Sequence, residues 1–184
     1  MEAVTPGPGG GYIKRSVLEG LFKHMVLVTP GTPFAAALHE AGYDITRPEP
    51  FYSSSVLQGV LAVAGRELFP DHKPPQAQWA VGRLFVSGYF KTLTGRTVAA
   101  LLPVFGTEGL IKQLPRFFLT GNGSSVITVS PQGERTWHFE LRDPYPSAEF
   151  AGGIIEEVLL RSGIKPQVTV AVREPERFVL QLCW

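Results

Sequence analysis

The spacing of the apolar residues in this 184-residue chain changes near Gly121. Before Gly121, apolar residues recur every three or four positions, which is typical of amphipathic helices. After it, Trp137, Phe139 and Leu141 alternate with polar residues, which indicates a strand with one buried and one exposed face. The sequence therefore predicts a helical N-terminal half followed by a sheet.

The part of the chain after Gly121 contains four predicted strands and one predicted helix. The strands are predicted over residues 125–130, 135–142, 168–172 and 178–182. Between the second and third strands, Ser147 supplies an N-cap and Gly163 a stop signal for the helix. The order strand-strand-helix-strand-strand predicts a four-stranded antiparallel sheet that a helix crosses on one face, so the predicted fold class is α+β.

The N-terminal half is predicted to be a series of helices. They are predicted over residues 16–25, 33–41, 53–69, 76–93, 96–104 and 108–114. The longest of them contains Gly82 and Gly88, each of which costs about 1 kcal/mol relative to alanine inside a helix. Two such residues indicate that something lies close to the helix backbone. A crossing helix is the simpler explanation, and a ligand is the alternative.

The composition indicates a folded domain with a substantial core. Hydrophobic residues make up 44% of the chain and charged residues 18%, which is enough apolar material for residues 16–184 to form a single α+β domain. Residues 1–15, rich in proline and glycine at their start, are predicted to be a flexible tail without the features of a secretory signal. The single Cys183 excludes a disulfide framework, so a cytoplasmic location is expected.

The charge and the polar residues exclude several classes of function. A net charge of +1 gives no broad basic surface for nucleic acid, and no apolar run is long enough to span a membrane. His39 and Glu40 are adjacent on a helix and point apart, so they do not form a metal site. Glu156 and Glu157 are also adjacent and cannot converge on one substrate atom. The sequence predicts no metal site, no catalytic residue and no enzyme activity.

Five short segments together resemble a myxobacterial paralogous family of uncharacterised proteins of about 200 residues. The segments are AGYDI at 41–45, AVGRLF at 80–85, GYF at 88–90, TGN at 120–122 and GGII at 152–155. The resemblance runs from about Val17 to Trp184. That family is distantly similar to haem-nitric-oxide/oxygen-binding domains and to four-vinyl-reductase domains, which share a helical half followed by strand–strand–helix–strand–strand. The resemblance implies a domain that binds a ligand or a protein partner more readily than an enzyme.

The resemblance also allows a prediction about haem. The haem-binding relatives hold iron through one histidine on the helix before the sheet, and they bind the propionates through a Tyr-x-Ser-x-Arg motif. In this chain the iron-ligating position falls near Phe117 and Phe118, neither of which can bind iron. The propionate segment falls within residues 137–144, where Arg142 is present but the tyrosine and the serine are absent. We therefore expect neither haem nor another cofactor.

An aromatic set is the best candidate for a ligand pocket between the helical half and the sheet. Its members are Tyr89, Phe90, Phe105, Phe117, Phe118, Tyr145 and Phe150. Arg142 or Tyr145 would orient a polar end of the ligand. The binding site predicted from this set consists of Tyr89, Phe90, Phe117, Phe118, Arg142, Tyr145 and Phe150.

Three hypotheses about function follow from the predicted fold and the aromatic set. In the first, the chain is a non-enzymatic sensor or carrier domain that binds a small apolar ligand and acts in regulation or signalling. In the second, side chains fill the pocket, and the chain is a dimerising scaffold or a regulatory protein-interaction module without a ligand. The third, an enzyme similar to the four-vinyl reductases, lacks a redox residue. A closed cavity lined by Phe117, Phe118 and Tyr89 would favour the first hypothesis, and a solid core with an exposed apolar helix face would favour the second.

Overall fold

The computed structural model describes residues 12–23, 25–91, 93–119, 125–143 and 147–184. The helices are α1 (Arg15–Phe22), α2 (Pro33–Glu40), α3 (Ser54–Leu68), α4 (Pro74–Tyr89), α5 (Leu93–Leu101), α6 (Gly106–Leu119) and α7 (Ala148–Arg161), with a 3-10 turn at Leu102–Val104. The strands are β1 (Tyr12–Lys14), β2 (Phe51–Ser53), β3 (Val126–Gly133), β4 (Thr136–Arg142), β5 (Gln167–Glu174) and β6 (Arg177–Cys183). The predicted α+β class, with helices first and a four-stranded antiparallel sheet at the end, is confirmed.

The four-stranded sheet has the spatial order β3-β4-β6-β5, so β4 and β6 are its central strands. Trp137 pairs with Leu182 and Phe139 pairs with Leu180, so these four side chains share one face. This inner face is buried against α6 and α7. His138 and the other alternating residues of β4 lie on the outer face, which confirms the predicted strand with one buried and one exposed side.

A two-stranded sheet at the N-terminus is a feature that the sequence did not predict. β1 pairs with β2 in antiparallel fashion, and Ile13 and Tyr52 are directly opposite and buried. Residues 12–15 therefore belong to β1 and α1, although they were assigned to the flexible tail. Strands of three residues are too short to show an alternating pattern in the sequence. The rest of that tail, residues 1–11, lies outside the described residues.

Helix α6 is longer than the sequence predicted. The predicted helix ends at Leu114, and the next residue, Pro115, removes a backbone hydrogen bond at a cost of about 3 kcal/mol inside a helix. The structure continues α6 through Pro115 to Leu119. Leu110, Ile111 and Leu114 form a fully buried stripe on this helix, and their packing against the sheet offsets the local cost of the proline.

Gly82 and Gly88 of α4 each allow another helix to approach the α4 backbone closely, and the approaching helix differs between them. A Cβ atom at Gly82 would overlap the carbonyl oxygen of Phe150 on α7. A Cβ atom at Gly88 would lie 2.8 Å from the carbonyl oxygen of Gly20 on α1, and it would also overlap Met25. The simpler explanation, a helix that crosses near the glycines, is therefore confirmed.

Helix α7 contributes a second pair of glycines to its contact with α4. A Cβ atom at Gly153 would overlap the carbonyl oxygen of Trp79, and one at Gly152 would overlap the indole ring of the same residue. Across this contact the Trp79 indole N–H donates to Glu156 over 2.8 Å, and the Arg83 guanidinium donates to Glu157 over 3.2 Å. Helices α4 and α7 therefore meet backbone to backbone, and polar pairs flank the contact.

Candidate ligand-binding site

The residues predicted to bind a ligand are divided between the ends of three helices and one strand. Tyr89 ends α4, Phe150 lies in the first turn of α7, and Phe117 and Phe118 lie in the last turn of α6. Tyr145 lies outside the described residues. The structure has an open cleft beside α6 and another beside α4, and neither is lined by a member of this set.

The members on α4 and α7 pack around Phe85. The ring of Phe85 stacks on Tyr89 with centroids 6.3 Å apart and meets Phe150 edge to face at 5.7 Å. Burial raises the pKa of Tyr89 above its usual value. The neighbouring ring of Phe90 lies under the Arg161 guanidinium, 5.6 Å from its centroid. These aromatic side chains therefore contact one another and Arg161.

The members on α6 belong to the core above the sheet. The ring centroid of Phe118 is 5.1 Å from that of Phe139, and Phe139 in turn is 6.4 Å from Phe178. Phe139 and Phe178 are fully buried, and Phe90 and Phe117 pack against the same core. The structure thus brings Phe90, Phe117 and Phe118 to one cluster, where side chains fill the space.

Arg142 lies on the other side of the sheet from Phe118. It is in register with Arg177 on the outer face, and its Nε donates to Glu140 over 2.8 Å. Hydrogen bonds from Arg177 and then from Arg142 hold the pKa of Glu140 below its usual value, so this carboxyl stays charged. The sheet separates Arg142 from the aromatic set, and in this position it cannot orient a ligand that contacts Phe118.

The side chains that could bind iron do not fit a haem in the interior. His39 and His72 are exposed, and His138 is on the outer face of the sheet, opposite Gln181. The side chains of α6 that pack into the core above the sheet are apolar, namely Leu110, Ile111, Leu114, Phe117 and Phe118. In the part of the chain that the structure describes, no group of three His, Cys, Asp or Glu residues could hold a metal ion. His24 lies outside the described residues.

The space in the interior does not fit a haem either. Val86 of α4, Leu102 of the 3-10 turn, Leu110 of α6 and Ile155 of α7 belong to one buried cluster with the inner face of the sheet. The glycine contacts between α4 and α7 bring those two backbones together. A planar macrocycle needs a slot between its two walls, and in this cluster the described side chains pack directly against one another.

An open cleft of about 500 Å³ lies between α6 and the hairpin of β3 and β4. It is lined by Glu108, Lys112, Val129, Pro131, Gly133, Glu134 and Trp137. A volume of this size lies within the range of about 300–1,000 Å³ that small-molecule sites occupy. The cleft is the open end of the interface between α6 and the sheet, because Val129 pairs with Phe139, which packs on Phe118.

Trp137 is the main aromatic residue of this cleft. Its side chain is 5% exposed, and the Lys112 ammonium lies 5.5 Å from the centroid of the ring system. The same ammonium is 3.6 Å from the carboxylate of Glu108, one helical turn earlier on α6. Val129 and Pro131 lie on the same face of the sheet as Trp137 and supply apolar surface. The cleft therefore combines an aromatic floor, an apolar wall and charged groups at its mouth.

The sequence indicated parts of this cleft but did not reveal it as a site. The spacing of Glu108 and Lys112 is that of an ion pair on a helix surface, and Trp137 was predicted to be buried. The first predicted strand ended at Ser130, whereas β3 extends to Gly133 and carries Pro131 into the cleft wall. The contact of Lys112 with Trp137 joins two elements, so no local pattern shows it.

A second cleft of about 300 Å³ is lined by Pro75, Gln76, Trp79, Glu149 and Val170. Its polar side chains already have partners within the protein. The Trp79 indole N–H donates to Glu156, and Glu149 forms a two-pronged ion pair with Arg173. This arrangement ties α4, α7 and β5 together, and it leaves less polar surface for a ligand than the cleft beside α6.

Residues 12–184 match the family described as "Protein of unknown function (DUF2378)". This chain belongs to that family. The match covers every described residue of the DUF2378 chain, from β1 to its C-terminus. No curated protein matches the sequence. The myxobacterial origin and the four-vinyl-reductase similarity expected from the sequence are untested and stay predictions.

Solved structures of H-NOX (haem-nitric-oxide/oxygen-binding) domains share the fold of this DUF2378 chain. An H-NOX protein from S. oneidensis in the Fe(II)NO ligation state has a TM-score of 0.69 and 14% identity over 92% of this chain and 98% of that one. An oxygen-binding H-NOX domain related to soluble guanylate cyclases has a TM-score of 0.66 and 10% identity, covering 93% and 94%. Identities this low show a common fold alone, which confirms the structural part of the expected resemblance.

A third H-NOX structure leads to the same conclusion. It is an unliganded Fe(II) mutant from K. algicida, with a TM-score of 0.63 and 10% identity over 93% of this chain and 96% of that one. None of the described helices is long and apolar enough to cross a membrane.

Proposed function

We propose that this chain is a non-enzymatic sensor or carrier domain that binds a small organic ligand in the cleft beside α6 and contains no haem. The cleft itself is the observation that carries the proposal, since it has the volume and the apolar, aromatic lining of a small-molecule site. The H-NOX structures include an oxygen complex and an Fe(II)NO state, so proteins of this fold bind small ligands. In this chain we infer that binding has moved from the interior to the open end of the interface between helix and sheet.

The side chains of the cleft support binding more than catalysis. Glu108 and Lys112 form an exposed ion pair, and neither is held against a group that would activate it. The other members of the lining are apolar residues, a glycine and Glu134. We therefore propose a regulatory or carrier role in which the bound molecule is left unchanged.

Replacing Val129 by phenylalanine tests the cleft. Val129 lines the cleft on the inner face of β3, and we expect the larger ring to occupy part of its volume. Small organic molecules that bind the wild-type chain in ligand-observed NMR should bind this variant at least about tenfold more weakly, a loss of about 1.4 kcal/mol.

The matched control is Val126→Phe on the same strand. Val126 is 60% exposed and lies on the outer face, so the same change in size leaves the cleft intact. Binding should be unaffected by this control. Equal binding to the wild-type chain and to both variants would show that the molecules bind somewhere else, and the proposal would then fail.

A second candidate function, a dimerising scaffold, is favoured by one specific observation. Leu101, Val104 and Phe105 are exposed together where α5 passes into α6, and Val104 is 78% exposed. The packed contact between α4 and α7 also suits a protein that has no interior ligand. A stable dimer in sedimentation equilibrium, with no small molecule bound by the cleft, would favour this candidate over the first.

A further inference from the structure

We propose that the cleft beside α6 selects small organic cations, namely alkyl-substituted ammonium compounds, and that Lys112 is an internal occupant which such a ligand displaces. This inference rests on the proposed function, because it assigns a ligand class to the same cleft. Two observations support the inference: the Lys112 ammonium lies over the Trp137 ring, and charged residues line the cleft around that ring.

The aromatic floor already holds a cation. The Lys112 ammonium lies 5.5 Å from the Trp137 ring centroid, within the distance of about 6 Å at which a cation is attracted to an aromatic face. Among the aromatic side chains, the indole of tryptophan gives the strongest attraction of this kind. The structure thus places a positive charge at this position over the ring.

The occupant is held weakly enough to be displaced. The Lys112 side chain is 58% exposed, and its partner Glu108 is 59% exposed. Ion pairs in such positions add little to stability, because water competes for both groups. Lys112 has a long, flexible stem and can turn outward into solvent without disturbing α6. A soluble cation can then take its place over Trp137.

The charges of the lining favour a cationic ligand over an anionic one. Glu108 and Glu134 contribute two negative charges and Lys112 contributes one positive charge, so the lining carries a formal charge of −1. When Lys112 turns away, two carboxylates remain near the aromatic floor. An anion placed there would be repelled by both of them.

The apolar wall favours an organic cation over a metal ion. Val129 and Pro131 would contact alkyl substituents on the nitrogen, whereas a metal ion requires further oxygen, nitrogen or sulfur ligands. No group of three metal-binding side chains exists among the described residues. Alkylammonium compounds satisfy the ring, the carboxylates and the apolar wall at the same time.

The test compares choline with its neutral isostere, 3,3-dimethylbutan-1-ol, by isothermal titration calorimetry and NMR. The two molecules have the same shape, and only choline carries a charge. We expect choline to bind the wild-type chain at least about tenfold more tightly than the isostere, since cation–aromatic attraction and the carboxylates act on the charge alone.

Replacing Lys112 by methionine gives the sharpest variant. Methionine keeps an unbranched apolar stem but removes the ammonium that competes for Trp137. We expect the affinity for choline to rise by about threefold to tenfold. The control Lys165→Met removes the same charge from an exposed position outside the cleft lining and should leave the affinity unchanged.

Several results would overturn this inference. Equal affinity for choline and its isostere would show that the cleft selects shape and not charge. A loss of choline binding in Lys112→Met, with Lys165→Met unaffected, would show that Lys112 supports the site and does not compete for it. If other small molecules bind and are lost in Val129→Phe while choline does not bind, the proposed function stands and this inference fails. If no molecule binds the cleft, both fail.

Discussion

Replacing Gly153 by alanine is expected to destabilise the protein by about 2–3 kcal/mol, the cost of overpacking a close contact. In an exposed helix the same change would stabilise by about 1 kcal/mol, because alanine has the higher helix propensity. In α7, however, the new methyl group would overlap the carbonyl oxygen of Trp79. Backbone cannot move aside as a flexible side chain can, so α4 and α7 must separate. Urea denaturation measures the change in the free energy of unfolding.

The control for this prediction is Gly109→Ala in α6. A Cβ atom there would meet only the Cβ of Phe105 at 3.5 Å, an ordinary van der Waals distance. This variant should be equally stable or more stable by up to about 1 kcal/mol. If Gly153→Ala were as stable as Gly109→Ala, α4 and α7 would not be in backbone contact, and the closed interior would be in doubt.

The largest loss of stability is expected from Phe139→Ala. Phe139 is fully buried at the centre of β4, between the rings of Phe118 and Phe178. Removing the ring loses its transfer free energy and leaves a cavity, which together cost about 3–5 kcal/mol. The midpoint of urea denaturation should fall accordingly.

An exposed position on the neighbouring strand supplies the comparison. Val126 is 60% exposed on the outer face of β3, and Val126→Ala should change the free energy of unfolding by less than about 0.5 kcal/mol. A loss below about 1 kcal/mol for Phe139→Ala would mean that the space between α6 and the sheet is loosely filled. Such an interior would leave room for the ligand pocket first predicted from the aromatic set.

The sequence predicted the elements that rest on regular spacing. The alternation around Trp137 and Phe139 located the buried face of the sheet, and Gly82 and Gly88 located two close helix contacts. The strands β1 and β2 were missed because three residues carry no detectable period. The end of α6 was misplaced because tertiary packing outweighed the local effect of Pro115.

The candidate site was harder to predict because it depends on which surfaces meet. Phe90, Phe117 and Phe118 of the aromatic set pack against the core above the sheet, but composition cannot tell a lined pocket from a filled core. For Arg142 the sequence did hold the needed signal. Arg142 has the same parity as His138 and Glu140 on β4, and that parity alone puts it on the outer face.

This DUF2378 chain shares its fold, a helical first part followed by a four-stranded sheet, with H-NOX structures to which it is only 10–14% identical. In this chain the interior contacts are made by glycine pairs of α4 and α7 and by a cluster of aliphatic and aromatic side chains. A fold can persist while the chemistry of its binding site changes, and the side chains present decide what is bound.

Titration of the purified, reduced protein with haem tests whether the interior can hold this cofactor. Because the described core side chains pack against one another and no described histidine faces them, we predict no saturable uptake of one equivalent and no Soret band of a histidine-ligated haem. A sharp Soret band that saturates at one haem per chain, and that disappears when a single histidine is replaced, would contradict the account.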